Sequence, residues 1–208
     1  DLMAAEVLSK AKNVGEKLKE ALAIGTGTGI EMNSLHTLCD ASQYTTASAG
    51  QALSFELLDE LLDLVKGGAD YIMAPKRTIR SYRALVRTLG GVAENIAYTM
   101  PDGQTKLVAQ YLDIPMFSSE SLSVVETANG AALTGGALTS VWAGKWDDGT
   151  KKRGLAFIFP AAAGNAGFSV APLSDKETKD EAVTRIKRYG NFVLFAKLGL
   201  ARLTSINN

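Results

Sequence analysis

Two hydrophobic periods alternate along this chain, and the points where one gives way to the other mark its elements. Ala4, Val7, Leu8, Ala11, Val14, Leu18, Ala21 and Leu22 recur at helical spacing, with Lys10, Lys12, Glu16, Lys17, Lys19 and Glu20 filling much of the other face. That arrangement predicts a long amphipathic helix. Gly25, Gly27 and Gly29 end it, since glycine accepts the left-handed cap and disfavours continuation. A polar, small-residue stretch follows over 40–51. A second helix is predicted over Phe55–Lys66, with Ser54 as its cap and Gly67-Gly68 as its stop. Its leucines (57, 58, 61, 62 and 64) cover a wide arc, while Asp59, Glu60 and Asp63 mark the solvated side.

Tyr71-Ile72-Met73 reads as a short buried strand, and Pro75 suits the first turn of a third helix, where its missing N–H costs nothing. Ile79, Tyr82, Val86 and Leu89 form that helix's seam, and Gly90-Gly91 closes it. The alternation of helix and strand predicts an α/β layer over roughly residues 30–135. From Ala137 the pattern becomes strand-like. Thr139–Lys145 and Gly154–Phe159 read as strands of one hairpin, joined through Trp146-Asp147-Asp148-Gly149 with Asp-Gly as the turn. Between Val183 and Ala196 a period of two predicts one long strand with a wet face.

Charge narrows the function. Lysine plus arginine number 22 and aspartate plus glutamate 22, so the chain lacks the basic excess of a protein that lives on phosphate neutralisation. Cys39 is the only cysteine, which excludes an intrachain disulfide and a thiolate metal cage, and fits a reducing compartment. No apolar run approaches the ~20 residues of a membrane span. The sequence opens on Asp1 and enters a helical pattern at once, so an upstream segment is expected to have been removed.

Candidate chemistry is sparse. Gly25-x-Gly27-x-Gly29 is neither a dinucleotide fingerprint nor a phosphate loop, and it follows a helix instead of linking a strand to one; a cap and hinge is the expectation. His36 and Cys39, three apart, lack an orienting third group and are expected to be packing or surface residues. The densest basic cluster is Lys76, Arg77, Arg80, Arg83 and Arg87, with Arg77, Arg80 and Arg87 on roughly one side. A solvated helix face, contacts to a neighbouring subunit and contact with DNA all fit it. Lys145 and Lys151-Lys152-Arg153 flank Asp147-Asp148 and serve equally as solubility charges or as partners across an interface. No catalytic residues, cofactor or metal ligands are expected.

The run Phe55–Gly68 followed by Ala69-Asp70-Tyr71-Ile72-Met73-Ala74-Pro75-Lys76-Arg77-Thr78-Ile79-Arg80 resembles the major capsid proteins of tailed bacteriophages, the Hong Kong-97-type fold. Gly25-Thr26-Gly27-Thr28-Gly29 is similar to that family's junction between spine helix and axial domain. Tyr111-Leu112-Asp113-Ile114-Pro115-Met116-Phe117 resembles its Y-x-G-I-P strand, with Asp113 where glycine is usual. Asp147-Asp148-Gly149 and Glu177-Thr178-Lys179-Asp180 complete the order. The resemblance implies a mixed α/β fold with a spine helix at 1–24, an inserted axial domain at 25–138 and the remaining peripheral strands at 139–208. The family's N-terminal arm and extended loop are absent from this sequence. It further implies self-assembly through pentamers and hexamers into an icosahedral shell around double-stranded DNA, contacted weakly, with no membrane partner. The protein would reside in the virion, and in host cytoplasm during assembly, with scaffolding or decoration proteins as further partners. Arg77, Arg80, Arg87, Lys151, Lys152 and Arg153 become candidate intersubunit contacts. An encapsulin-type compartment shell, which shares the fold, is the alternative.

Overall fold

In the computed structural model the described residues are 2–47, 50–99, 103–122, 127–128, 131–132, 138–160, 168–171, 174–176, 179–183 and 185–207. The chain runs α1 (Leu2–Ile24), α2 (Leu35–Leu38), β1 (Tyr44–Thr46), α3 (Phe55–Asp63), β2 (Tyr71–Pro75), α4 (Lys76–Thr88), β3 (Asn95–Thr99), β4 (Thr105–Tyr111) and β5 (Ile114–Ser119). Then come β6 (Thr127–Ala128), β7 (Ala131–Ala132), β8 (Leu138–Gly144), β9 (Leu155–Ile158), β10 (Phe168–Val170), β11 (Ser174–Lys176), β12 (Lys179–Val183), β13 (Ile186–Arg188), β14 (Asn191–Leu194) and β15 (Leu200–Asn207).

A seven-stranded mixed sheet in the order β1-β15-β8-β2-β5-β4-β3 forms the body. β1 runs parallel to β15 and β2 parallel to β5, while β8 is antiparallel to both its neighbours. Alternate side chains face two separate cores, as the pleat requires. Ile72, Ala74, Val141, Ala143, Ala201 and Leu203 face α3 and α4, meeting Leu57, Leu58, Leu61 and Ile79. Tyr71, Trp142 and Leu200 face the other way, onto Ala23 of α1, Leu35 of α2, and Leu155 and Phe192 of the β9–β14 ribbon. With both faces covered, every residue of β8 is buried.

The predicted helices form, with adjusted ends. Ser54 Oγ accepts from the Leu57 N–H at 3.3 Å and starts α3, which ends at Asp63, before the expected Lys66. Pro75 closes β2 and caps α4 from outside its first turn. Along α1 the apolar stripe is only half-buried at Val7, Ala11, Val14 and Leu18.

Three strand expectations are corrected. First, β8 and β9 do not form a hairpin: β8 lies between β15 and β2, and β9 pairs with β14. The Asp-Gly turn exists, but 145–154 is too long to fix a register, and both edges of β8 are taken by other strands. Second, the long strand over 183–196 is three pieces: β12 ends at Val183, β13 pairs with β10, and β14 pairs with β9. Gly190 separates the last two, and a Cβ there would lie 2.3 Å from the Phe157 ring. Third, 111–117 is not one strand: Tyr111 ends β4, Leu112-Asp113 form a two-residue turn, and 114–117 open β5. Leu112 and Asp113 take φ of 47° and 64° between β4 and β5, the left-handed pair of a tight hairpin, which explains why glycine suits that position. The sheet runs across the expected 138/139 boundary, with β8 and β15 pairing with β2 and β1.

Three aromatic rings join α3, α4 and β4. Phe55 stacks on Tyr111 at 5.7 Å between centroids, and Tyr82 meets both edge-on at 6.1 Å. The Tyr82 hydroxyl donates to the Gln110 carbonyl at 2.8 Å, and the Tyr111 hydroxyl donates to Asp59 at 2.5 Å.

Two outcomes follow from this packing. A Cβ on Gly144 would fall 2.5 Å from the hydroxyl of the fully buried Tyr71, so Gly144→Ala must displace that ring. It should cost about 1–3 kcal/mol by overpacking, read as a fall of ~2–4 °C in melting temperature per kcal/mol. Unchanged melting would mean the ring moves freely.

The second outcome concerns alkaline stability. Burial raises the Tyr71, Tyr82 and Tyr111 phenols, with the Asp59 hydrogen bond and charge adding to the rise at Tyr111. A group whose folded pKa is raised contributes stability that is complete below its unfolded value, ~10 for tyrosine, and is lost as pH climbs through the folded value. Melting temperature should therefore fall above pH ~10. Tyr111→Phe should lower it at neutral pH by about 0.5–1.5 kcal/mol of lost hydrogen bonding and make the alkaline fall shallower. An equally steep fall in the variant would place the titration elsewhere.

Candidate assembly surfaces

The residues with potential chemistry are turned inward. Cys39 caps the short α2, 7% exposed, with its Sγ 3.7 Å from the Leu200 carbonyl. Burial pushes the thiol up to about 12, so at neutral pH it is protonated and a poor nucleophile. The His36 ring meets Trp142 edge-on at 4.9 Å. Both behave as packing residues. The Gly25–Gly29 segment is a cap and return loop: the Gly25 N–H donates to Ala21 O at 2.8 Å and the Gly27 N–H to Met32 O at 3.2 Å. Among the described residues no three of His, Cys, Asp or Glu gather as a metal site, and no helix is long and apolar enough to cross a membrane.

Sequence reasoning missed one buried charge. Arg202 of β15 is fully buried, its guanidinium 5.0 Å from the Trp142 ring and 5.3 Å from the Tyr44 ring, with Nε donating to Ser140 Oγ at 3.0 Å. Alternation in LARLTSIN put this arginine on a plausible wet face; only the covering by α2 and Tyr44 makes that face dry.

The surface carries charge in separate patches. On α4, Lys76, Arg77, Arg80, Arg83 and Arg87 are all exposed. Arg80, Arg83 and Arg87, with Lys76 and Lys106, line a groove of about 610 Å³ between α4 and the β3–β4 hairpin. Its floor is Met116 and Phe117 of β5, with Tyr98 edge-on to Phe117 at 4.9 Å. The expected trio of Arg77, Arg80 and Arg87 is thus regrouped: Arg77 is not part of the groove lining, while Arg83 and Lys106 are. Lys106 carried no sequence signal, because only the tertiary fold brings β4 opposite α4. Lys76 pairs with Glu120, whose carboxyl is held below its usual range by the Lys76 hydrogen bond and charge.

Lys151, Lys152 and Arg153 are exposed on the loop after β8. Asp70 anchors the base of that loop, accepting from Lys145 Nζ at 3.2 Å and from the Trp146 N–H at 2.9 Å. Asp147 accepts from the Lys151 N–H at 3.0 Å, and Asp148 from the Thr150 N–H at 3.0 Å. The loop is therefore shaped by its acids while its cations point to solvent.

No protein-family model matches the chain, and no curated protein sequence matches it. Solved structures do. A subunit of the holo-SrpI encapsulin complex from Synechococcus elongatus superposes with a TM-score of 0.78 at 16% identity, covering 100% of this chain and 66% of that one. The capsid of an empty GTA particle, computed with C5 symmetry, matches at TM-score 0.58 and 10% identity over 98% of this chain and 66% of the other. The native GTA capsid matches at 0.55 and 13% over 96% and 65%. The chain thus spans about two thirds of the length of these structures. At such identities the likeness is one of fold: the chain has a mixed α/β, capsid-type Hong Kong-97 fold.

Proposed function

We propose that this chain is a shell-building subunit whose copies tile a closed icosahedral shell through pentamers and hexamers. The observation that carries the reading is the match over 100% of the chain, at TM-score 0.78, to a subunit of an encapsulin complex, joined by two GTA capsids. Geometry does the work in such a protein, with no catalytic step; the buried thiol of Cys39 and the edge-packed His36 agree with that. In this reading the axial part is the seven-stranded sheet with α3 and α4, and the peripheral part is α1 with the outlying ribbons. Arg77, Arg80, Arg87, Lys151, Lys152 and Arg153 then serve contacts between copies.

Two contents fit the shell. As a phage or prophage capsid it encloses double-stranded DNA in a virion assembled in host cytoplasm, touching the DNA weakly because 22 cations are balanced by 22 acids. As an encapsulin-type compartment it encloses a protein cargo, a reading supported by the likeness to the encapsulin subunit at TM-score 0.78.

Electron micrographs of the protein expressed in bacteria should show closed particles. Their contents should be nuclease-protected duplex DNA on the capsid reading, or a co-purifying protein free of nucleic acid on the compartment reading. Soluble protein that forms no particles under any condition that keeps it folded would refute both.

The exposed loop gives a second outcome. Reversing Lys151, Lys152 and Arg153 together should change stability by no more than ~0.5 kcal/mol each yet cripple assembly, because every copy repeats the contact and like charges disfavour docking. Normal particles from the variant would make the loop merely solvated, and a large fall in melting temperature would make it part of the core.

A further inference from the structure

Helices α3 and α4 lie on the same face of the sheet but over opposite halves of it. α3 covers β1, β15 and β8, and α4 covers β2 and β5. Their exposed sides have opposite charge. α3 (FELLDELLD) has four acids and no cation, and α4 (KRTIRSYRALVRT) has five cations and no acid. Glu56, Glu60 and Asp63 follow i, i+4, i+7 spacing, and Arg80, Arg83 and Arg87 follow i, i+3, i+7, so each trio makes one stripe about 10 Å long. The two stripes have equal length and equal, opposite charge. Among the described residues, none of these six side chains is in an ion pair.

The basic stripe also borders an open edge. β4 pairs with β5 only at Gln110↔Pro115 and Tyr111↔Ile114, then diverges. Met116–Ser118 of β5 pair with β2 on one side and face the groove on the other. The groove therefore has cationic walls, an apolar floor and room for several side chains.

We propose that the groove receives the acidic face of α3 from a second copy of this chain. Glu56, Glu60 and Asp63 of one copy then meet Arg80, Arg83 and Arg87 of the next. The contact uses two different patches on opposite halves of the subunit, so it is head-to-tail, the type that closes into rings when the rotation permits. This proposal deepens the shell reading and rests on it, by naming the pair of surfaces that joins neighbours. A nucleic acid is a weaker occupant. Tyr98 and Phe117 pack edge-on against each other, not as an open stacking platform, and the chain's net charge of zero offers no long-range attraction to phosphate.

The test is sedimentation equilibrium on the 208-residue chain at low salt, with melting curves to confirm folding. The wild type should self-associate, and added salt should weaken it. R80E/R83E/R87E and E56K/E60K/D63K should each weaken self-association at least ~10-fold, because three attractive pairs become repulsive. Mixing the two variants restores complementary charge at both contacts, so the equimolar mixture should associate again. R80Q/R83Q/R87Q, which removes charge without reversing it, should fall between and serves if a reversed variant misfolds.

A wild type that stays monomeric at ~1 mM would overturn the proposal. So would reversed variants that associate like the wild type, or a mixture that fails to recover. Loss of duplex-DNA binding by the arginine variants with self-association intact would assign the groove to nucleic acid instead. The shell reading fails separately: charge-dependent association with rescue by mixing, but no closed particles in micrographs, keeps this interface and discards the shell, while particles insensitive to these substitutions do the reverse.

Discussion

Strand β8 has no face available to water, since α3 covers one side and α1, α2 and the β9–β14 ribbon cover the other. The rest of the molecule is arranged around that constraint. Two-sided burial requires small or apolar side chains in β8, hence Ala143 and Gly144 where Tyr71 and Leu200 crowd in from the neighbouring strands. It also penalises a polar group brought into the sheet without a partner. Arg202 is held there by one hydrogen bond from Nε to Ser140 and by two aromatic faces. Arg202 stands directly opposite Trp142 in the pairing of β15 with β8, so a one-residue slip would turn the guanidinium into the aliphatic core beneath α3. A buried charge of this kind adds little net stability, but it penalises the wrong register heavily.

Local patterns were read well from sequence, and partners across the chain were not. The seams of α3 and α4 fall largely where the 3.6-residue period put them, with Leu57, Leu58, Leu61, Ile79 and Tyr82 inside, but Leu89, expected on the α4 seam, is 68% exposed beyond the helix end. The strand segments around 139–145 and 154–159 were found, but their pairing was assigned to the nearest neighbour in sequence. The true partners of β8 are β2 and β15, and nothing local in TSVWAG names them. β15 escaped notice because Arg202 resembles a solvent-facing residue until Tyr44 and Trp142 enclose it. The candidate surface behaves the same way. The arginines of α4 were visible as a stripe, whereas the groove needs Lys106 and Phe117, which reach it only through the divergence of β4 from β5.

That divergence and the charge distribution bear on one question: how a chain with equal numbers of acids and bases leaves the charged stripes of α3 and α4 out of any ion pair among the described residues. Within α1 the charges do pair locally, Lys17 with Glu20 and Lys19 with Glu16, at 2.7 Å each. Within α3 and within α4 no such pair can form, because each helix carries one sign, and the sheet holds the two helices over different strands. The shared core of Leu58, Leu61, Ile79 and Tyr82 holds the inner side of each helix, so each stripe stays on the outer side of its own helix. The unmatched stripes are thus a consequence of the fold and not of composition.

Exposed ion pairs are individually weak, typically ~0.2–1 kcal/mol, and are screened by salt. For a subunit of the proposed shell, which must place many copies in one register, weakness has a use. A misdocked neighbour that sets like charges together is rejected before apolar surface is committed, and a correct one is held only loosely until further contacts form. Multiplicity then converts contacts that are marginal in pairs into a stable lattice. An apolar patch of the same area would bind more tightly in isolation but would discriminate less between registers, because the hydrophobic effect is non-directional. Segregated charge over a tightly registered sheet therefore divides two tasks: the buried arginine fixes strand against strand within the subunit, and on the proposed interface the exposed arginines fix subunit against subunit.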